Sequence, residues 1–96
     1  MASHRIAASL SLIAATGLAV LVPAAAQAQA NCDWYARTAL QQQQDNERLK
    51  CGFTGPEWNA DMRAHLNWCG TVAPDVWKQQ AQKRAQLLVG CQAKQK

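Results

Sequence analysis

Serine is absent from the chain after Ser11. A serine nucleophile is therefore excluded from everything beyond the amino-terminal segment. There is no C-x-x-C pair, which removes the dithiol redox motif, and no glycine-rich phosphate loop. β-Branched residues are few after residue 30 and nowhere alternate with polar ones, which argues against a sheet. The six acidic side chains are scattered along the chain, and no two form a pair set apart for acid–base work. A cysteine nucleophile needs a free thiolate beside a base, and an even number of cysteines leaves none to spare. These absences together predict a protein that is not an enzyme.

What is present begins with an export signal. Arg5 supplies a basic start, residues 6–26 form a long apolar stretch broken by Pro23, and "AQAQA" offers small-x-small cleavage sites after Ala28 or Ala30. Charge, length and exit motif predict a secretory signal peptide over residues 1–30, followed by one small domain over residues 31–96. No later segment has the roughly 20 consecutive apolar residues of a membrane span, so no membrane association is expected once the signal is removed. With Arg5 gone, nine basic and six acidic side chains leave a net charge of +3. That charge is scattered, with no dense basic stripe of the kind nucleic acid requires.

All four cysteines, Cys32, Cys51, Cys69 and Cys91, follow the signal. In an exported chain of this size they read as two disulfides, which a core this small needs as staples. A four-cysteine zinc site prefers close pairs, whereas the nearest two here stand 18 positions apart.

Two of the cysteines open a repeated phrase, "CGFTGPEW" from Cys51 and "CGTVAPDVW" from Cys69. Each reads as a helix stop, a turn and a restart. Gly52 and Gly70 close the preceding helices at C′. Thr54 and Glu57 form a capping box with Pro56 in the first turn, and Pro74 and Asp75 repeat the start. Trp58 and Trp77 anchor the new helices. The spacing predicts helices over 33–50, 56–69 and 74–90, hence an all-α, up-down-up three-helix bundle. The second helix carries Trp58, Met62 and Leu66 four apart; the third carries Trp77, Ala81, Ala85 and Leu88.

Helix length constrains the pairing. At 1.5 Å per residue, Cys32 and Cys51 lie roughly 28 Å apart along a continuous helix, far beyond disulfide reach. Alternating helix direction favours Cys32–Cys69 with Cys51–Cys91. The nested alternative, Cys32–Cys91 with Cys51–Cys69, requires the middle helix to cross one end of an antiparallel pair.

Three groups of residues are candidates for function. Asp61 and His65, four apart, would make a helix-surface pair and could supply two ligands to a metal or small-ligand carrier. Two ligands do not make a site, so no metal and no cofactor is predicted. Trp34, Trp68 and Trp77 are expected near the Cys32–Cys69 end, either packed over the bridge or forming an interaction surface. Gln43 and Asn46 fall in the gap of the first helix's apolar stripe, between Leu40 and Leu49, where they could line a polar groove. A domain of about 66 residues has little room for a ligand pocket of the usual size.

The segments "CDWYARTALQQQQ", "CGFTGPEW", "HLNWC" and the final Cys91 resemble short exported Cys/Trp proteins of alphaproteobacteria. The resemblance implies a periplasmic or secreted helical domain and assigns no functional residue. The sequence reading is a small periplasmic or secreted non-catalytic binding or structural accessory protein. Its expected partner is a protein or another envelope component. The alternatives are a membrane-active cationic helical peptide and the Asp61–His65 carrier.

Overall fold

The computed structural model describes residues 23–95. The basic start and most of the apolar stretch of the expected signal lie outside the described residues. The described residues form three helices: α1 (Ala24–Arg48), α2 (Met62–Thr71) and α3 (Pro74–Lys94). They run up, down and up, with no strand among the described residues. None of them is long and apolar enough to cross a membrane.

Helix α1 begins nine residues before the expected start at 33. Alanine and glutamine at 24–30 favour helix intrinsically, but every residue from Pro23 to Asn31 is exposed and the extension adds nothing to the core. Beyond it, α1 buries Tyr35, Ala36, Ala39, Gln42 and Asn46. Their spacing of four, three and four from Tyr35 is a single inward stripe. Helix α3 repeats it with Trp77, Ala81, Arg84 and Leu88. Arg84, not Ala85, takes the inner position, and Ala85 is exposed. Tyr35 meets Trp77 with ring centroids 6.1 Å apart, and Ala39 and Ala81 lie in one cluster with Cys69.

The bridges are Cys32–Cys69 and Cys51–Cys91, with Cα atoms 5.6 and 5.8 Å apart. One ties α1 to α2 at one end of the bundle. The other ties the start of the 49–61 loop to the last turns of α3 at the opposite end. The chain-entropy account of loops of this size gives roughly 3–4 kcal/mol per bridge, a large fraction of the stability available to a small domain.

The repeated phrase does stop and restart the chain, but not at the expected residues. Helix α1 ends in a Schellman arrangement: Cys51 N–H donates to Asn46 O at 3.0 Å and Lys50 N–H to Glu47 O at 3.2 Å. The left-handed C′ residue is Lys50, with φ 56°, so Gly52 (φ 79°) shapes the following turn rather than the cap. Gly70 lies inside α2, which continues to Thr71. Helix α2 starts at Met62, not at 56. Its N-cap is Asp61, whose carboxylate accepts from Arg63 N–H at 3.0 Å and Ala64 N–H at 3.2 Å. Thr54 and Glu57 therefore form no capping box. Of the expected starts, only Pro74 with Asp75 in the first turn of α3 stands as read.

Residues 49–61 remain a loop because side-chain bonds from the end of α1 and from within the loop hold their backbone there. Asn46 donates from Nδ2 to Phe53 O at 2.7 Å and accepts from Phe53 N–H on Oδ1 at 3.1 Å. One buried amide thus satisfies both backbone groups of a loop residue. Trp58 turns inward and stacks on Phe53 at 4.9 Å. Asn59 donates to Pro56 O at 2.6 Å and accepts from Asp61 N–H at 2.8 Å, closing the turn that leads into α2.

Candidate functional site

The 49–61 loop, held in this way, roofs a cavity of about 220 Å³ to which every element contributes. Tyr35 comes from α1, Pro56, Glu57 and Asn59 from the loop, Ala64, His65 and Trp68 from α2, and Gln80 from α3. Two larger hollows, of about 320 and 410 Å³, are open surface grooves beside α3. The smaller cavity is the better enclosed, and it alone holds the histidine. It falls below the about 300–1,000 Å³ usual for drug-sized ligands, in line with the small room expected of so short a chain.

His65 is 3% exposed. It sits one helical turn after Asp61, so α2 directs it back under the loop. Its Nε2 lies 2.8 Å from Asn59 O. A carbonyl oxygen only accepts, so Nε2 carries the proton, and the neutral ring keeps its lone pair on Nδ1. The ring stands edge-on to Tyr35 with centroids 6.2 Å apart. The expected surface pair with Asp61 is not made. The Asp61 carboxylate caps α2 and His65 bonds to the loop, so the two do not converge as ligands. Among the described residues no group of three or more His, Cys, Asp or Glu side chains is placed to hold a metal.

Trp68, one turn after His65, is 36% exposed and packs at 5.3 Å from Tyr35. It forms an apolar wall of the cavity. Trp34, 54% exposed, lies against Trp77 at 6.0 Å. Trp77 and Asn46 are both buried, so neither belongs to an interaction surface. Trp77 sits in the core as the first anchor of α3, and Asn46 spends its amide on Phe53. Gln43 is half-buried and accepts from Asn46 Nδ2 at 3.1 Å. The inward residue of the glutamine run is Gln42, one position away.

Glu57 carries the charge of the site. Its carboxylate folds back over Gly55, where φ is 123° and an added Cβ would collide with it. Gly55 thus serves both the turn and the placement of the carboxylate. Among the described residues Glu57 has no ion-pair partner; the one ion pair, Arg48 with Asp45, lies elsewhere. No lysine or arginine lines the cavity. The nearest buried cation, Arg84, lies behind Tyr35. Its guanidinium is centred 5.0 Å from the ring and donates from Nη1 to the hydroxyl at 3.0 Å.

The sequence pointed to His65 and Trp68 but missed Tyr35, Glu57, Asn59 and Gln80 as lining residues. Tyr35 is the single tyrosine of the chain, which was a usable signal. Glu57 was masked by its capping-box spacing, and nothing local distinguishes Gln80 from the other glutamines of α3. No protein-family model matches the chain, and comparison with curated proteins and with solved structures gives no match either.

Proposed function

We propose that this is a small exported, non-catalytic binding domain whose binding site is the cavity between the 49–61 loop and α2. The observation that carries the reading is the enclosure of about 220 Å³ by all three helices and the loop, with a tautomer-fixed histidine and a part-exposed tryptophan in its wall. A merely structural accessory has no need of such a cavity. Export fits two disulfides with no cysteine left free, and the exposed 24–30 segment is accessible to cleavage after Ala28 or Ala30. The likeness to short exported proteins of alphaproteobacteria belongs to the same proposal.

A fragment screen followed by amide and indole NMR shifts tests the site. Perturbations should cluster at Tyr35, His65 and Trp68. Shifts confined to α3 beyond Gly90, or none, would overturn it. Intact mass of the exported protein tests the leader, with a mass starting at Gln29 or Asn31 expected.

A second reading, a cationic surface that meets membranes, is favoured by one observation: Leu87 is exposed in a groove that also contains Lys50 and Lys94. Leakage of anionic vesicles on adding the oxidised domain would favour it over the cavity.

A further inference from the structure

Building on the reading of the cavity as a binding site, we infer that its ligand is a small organic ammonium ion. The one formal charge in the lining is the carboxylate of Glu57, beside two groups that can donate, the Gln80 amide and the Trp68 indole N–H. Glu57 is half-buried and has neither a hydrogen bond nor an ion pair among the described residues, so its carboxylate awaits a counter-charge. His65 commits its proton-bearing Nε2 to Asn59 O, which leaves the lone pair of Nδ1 as the ring's free function in its neutral form. Asn59 is held in place by its own turn, donating one amide N–H to Pro56 O and accepting from Asp61 N–H.

The apolar wall suits the same ion. An ammonium group over the face of tryptophan or tyrosine is attracted by the ring quadrupole, most strongly where water is excluded. Trp68 and Tyr35 stand together at 5.3 Å, and one edge of Trp68 remains open to solvent as an entrance. The Arg84 guanidinium does not cancel this field at the lining. It is fully buried and directed onto the Tyr35 hydroxyl and Gln42 Oε1. The domain as a whole is basic, so a lone carboxylate facing an enclosed space runs against its net charge, and an anionic ligand would meet repulsion from Glu57. The volume admits a choline-sized ion and excludes large ones. Gly55 is a positioning residue here, since a side chain on it would displace the Glu57 carboxylate.

The test uses the oxidised domain and four probes followed by NMR titration: choline, ethanolamine, the neutral carbon isostere of choline, and pivalate. At least one cation should bind more than tenfold tighter than the neutral isostere and shift the Trp68 indole and His65 ring signals. Glu57→Gln should erase that preference while leaving the isostere's affinity unchanged, and Gly55→Ala should weaken the cation in the same direction. Equal or tighter binding of the isostere or pivalate at Trp68 would overturn the ammonium assignment yet keep the cavity as a binding site. A cation preference that survives Glu57→Gln would also overturn it. No shift at Trp68 or His65 with any probe would overturn both readings.

Discussion

Arg84 and Gln42 meet in the interior at equal heights on two parallel helices. Arg84 Nε donates to Gln42 Oε1 at 2.7 Å across 42 residues of sequence. Gln42 in turn donates from Nε2 to Ala81 O at 2.9 Å, and Nη1 of Arg84 reaches the Tyr35 hydroxyl. The pairing holds a fully buried cation among neutral partners, with Nη2 left unpaired. Hydrogen bonds to a charged group contribute roughly 1.5–3 kcal/mol each, whereas a buried donor without a partner costs about 1–3 kcal/mol. Taking the guanidinium out of water costs several kcal/mol more, so the network specifies the register of α1 on α3 more than it adds to stability.

Replacing Arg84 alone by alanine leaves Gln42 Oε1 unpaired and opens a cavity. Unfolding in urea should register a loss of about 2–4 kcal/mol. The double variant Arg84→Met, Gln42→Leu removes donor and acceptor together and should recover most of that loss. A single variant within ~0.5 kcal/mol of the parent would contradict the network's role.

His65→Ala should be destabilising by about 2 kcal/mol, because a buried ring and its bond to Asn59 O are both lost. A helix-surface pair would give only a few tenths of a kcal/mol, so thermal unfolding of this one variant separates the two placements.

Lys50→Gly should stabilise the domain by about 1 kcal/mol. Lysine at φ 56° bears the steric cost of the left-handed region, which glycine avoids. A lower melting temperature would argue that α1 does not end in the Schellman arrangement.

The double variant Cys51→Ala, Cys91→Ala should be less stable than the parent by roughly 2–5 kcal/mol. Non-reducing tryptic mapping of the parent should yield peptides joining Cys32 to Cys69 and Cys51 to Cys91. A peptide joining Cys51 to Cys69 would contradict this structure.

A domain starting at Asn31 should melt within about a degree of one starting at Ala24, a difference well inside ~0.5 kcal/mol. Every residue removed is exposed. A large drop would mean that the extension packs against something in solution.

Of the two cysteine pairings the sequence left open, the structure chose Cys32–Cys69 with Cys51–Cys91. The sequence by itself determined the helical class, the three-element order and the exclusion of a Cys32–Cys51 bridge. Each rests on local rules: periodicity, a stop–turn–restart phrase, and the fixed rise that keeps Cys32 from Cys51. The tertiary structure alone decided which polar residues turn inward and where α2 begins. Gln42 and Arg84 look like surface residues because their partner stands 42 positions away, and a pattern read over one or two turns cannot register it. The Thr54–Glu57 spacing satisfied the capping rule, yet the loop won: Asn46 of α1 and His65 of α2 bond its backbone from outside the segment, and Asn59 closes its turn from within. The cavity exists for the same reason. Its roof is a loop whose backbone is held by these amide and imidazole contacts.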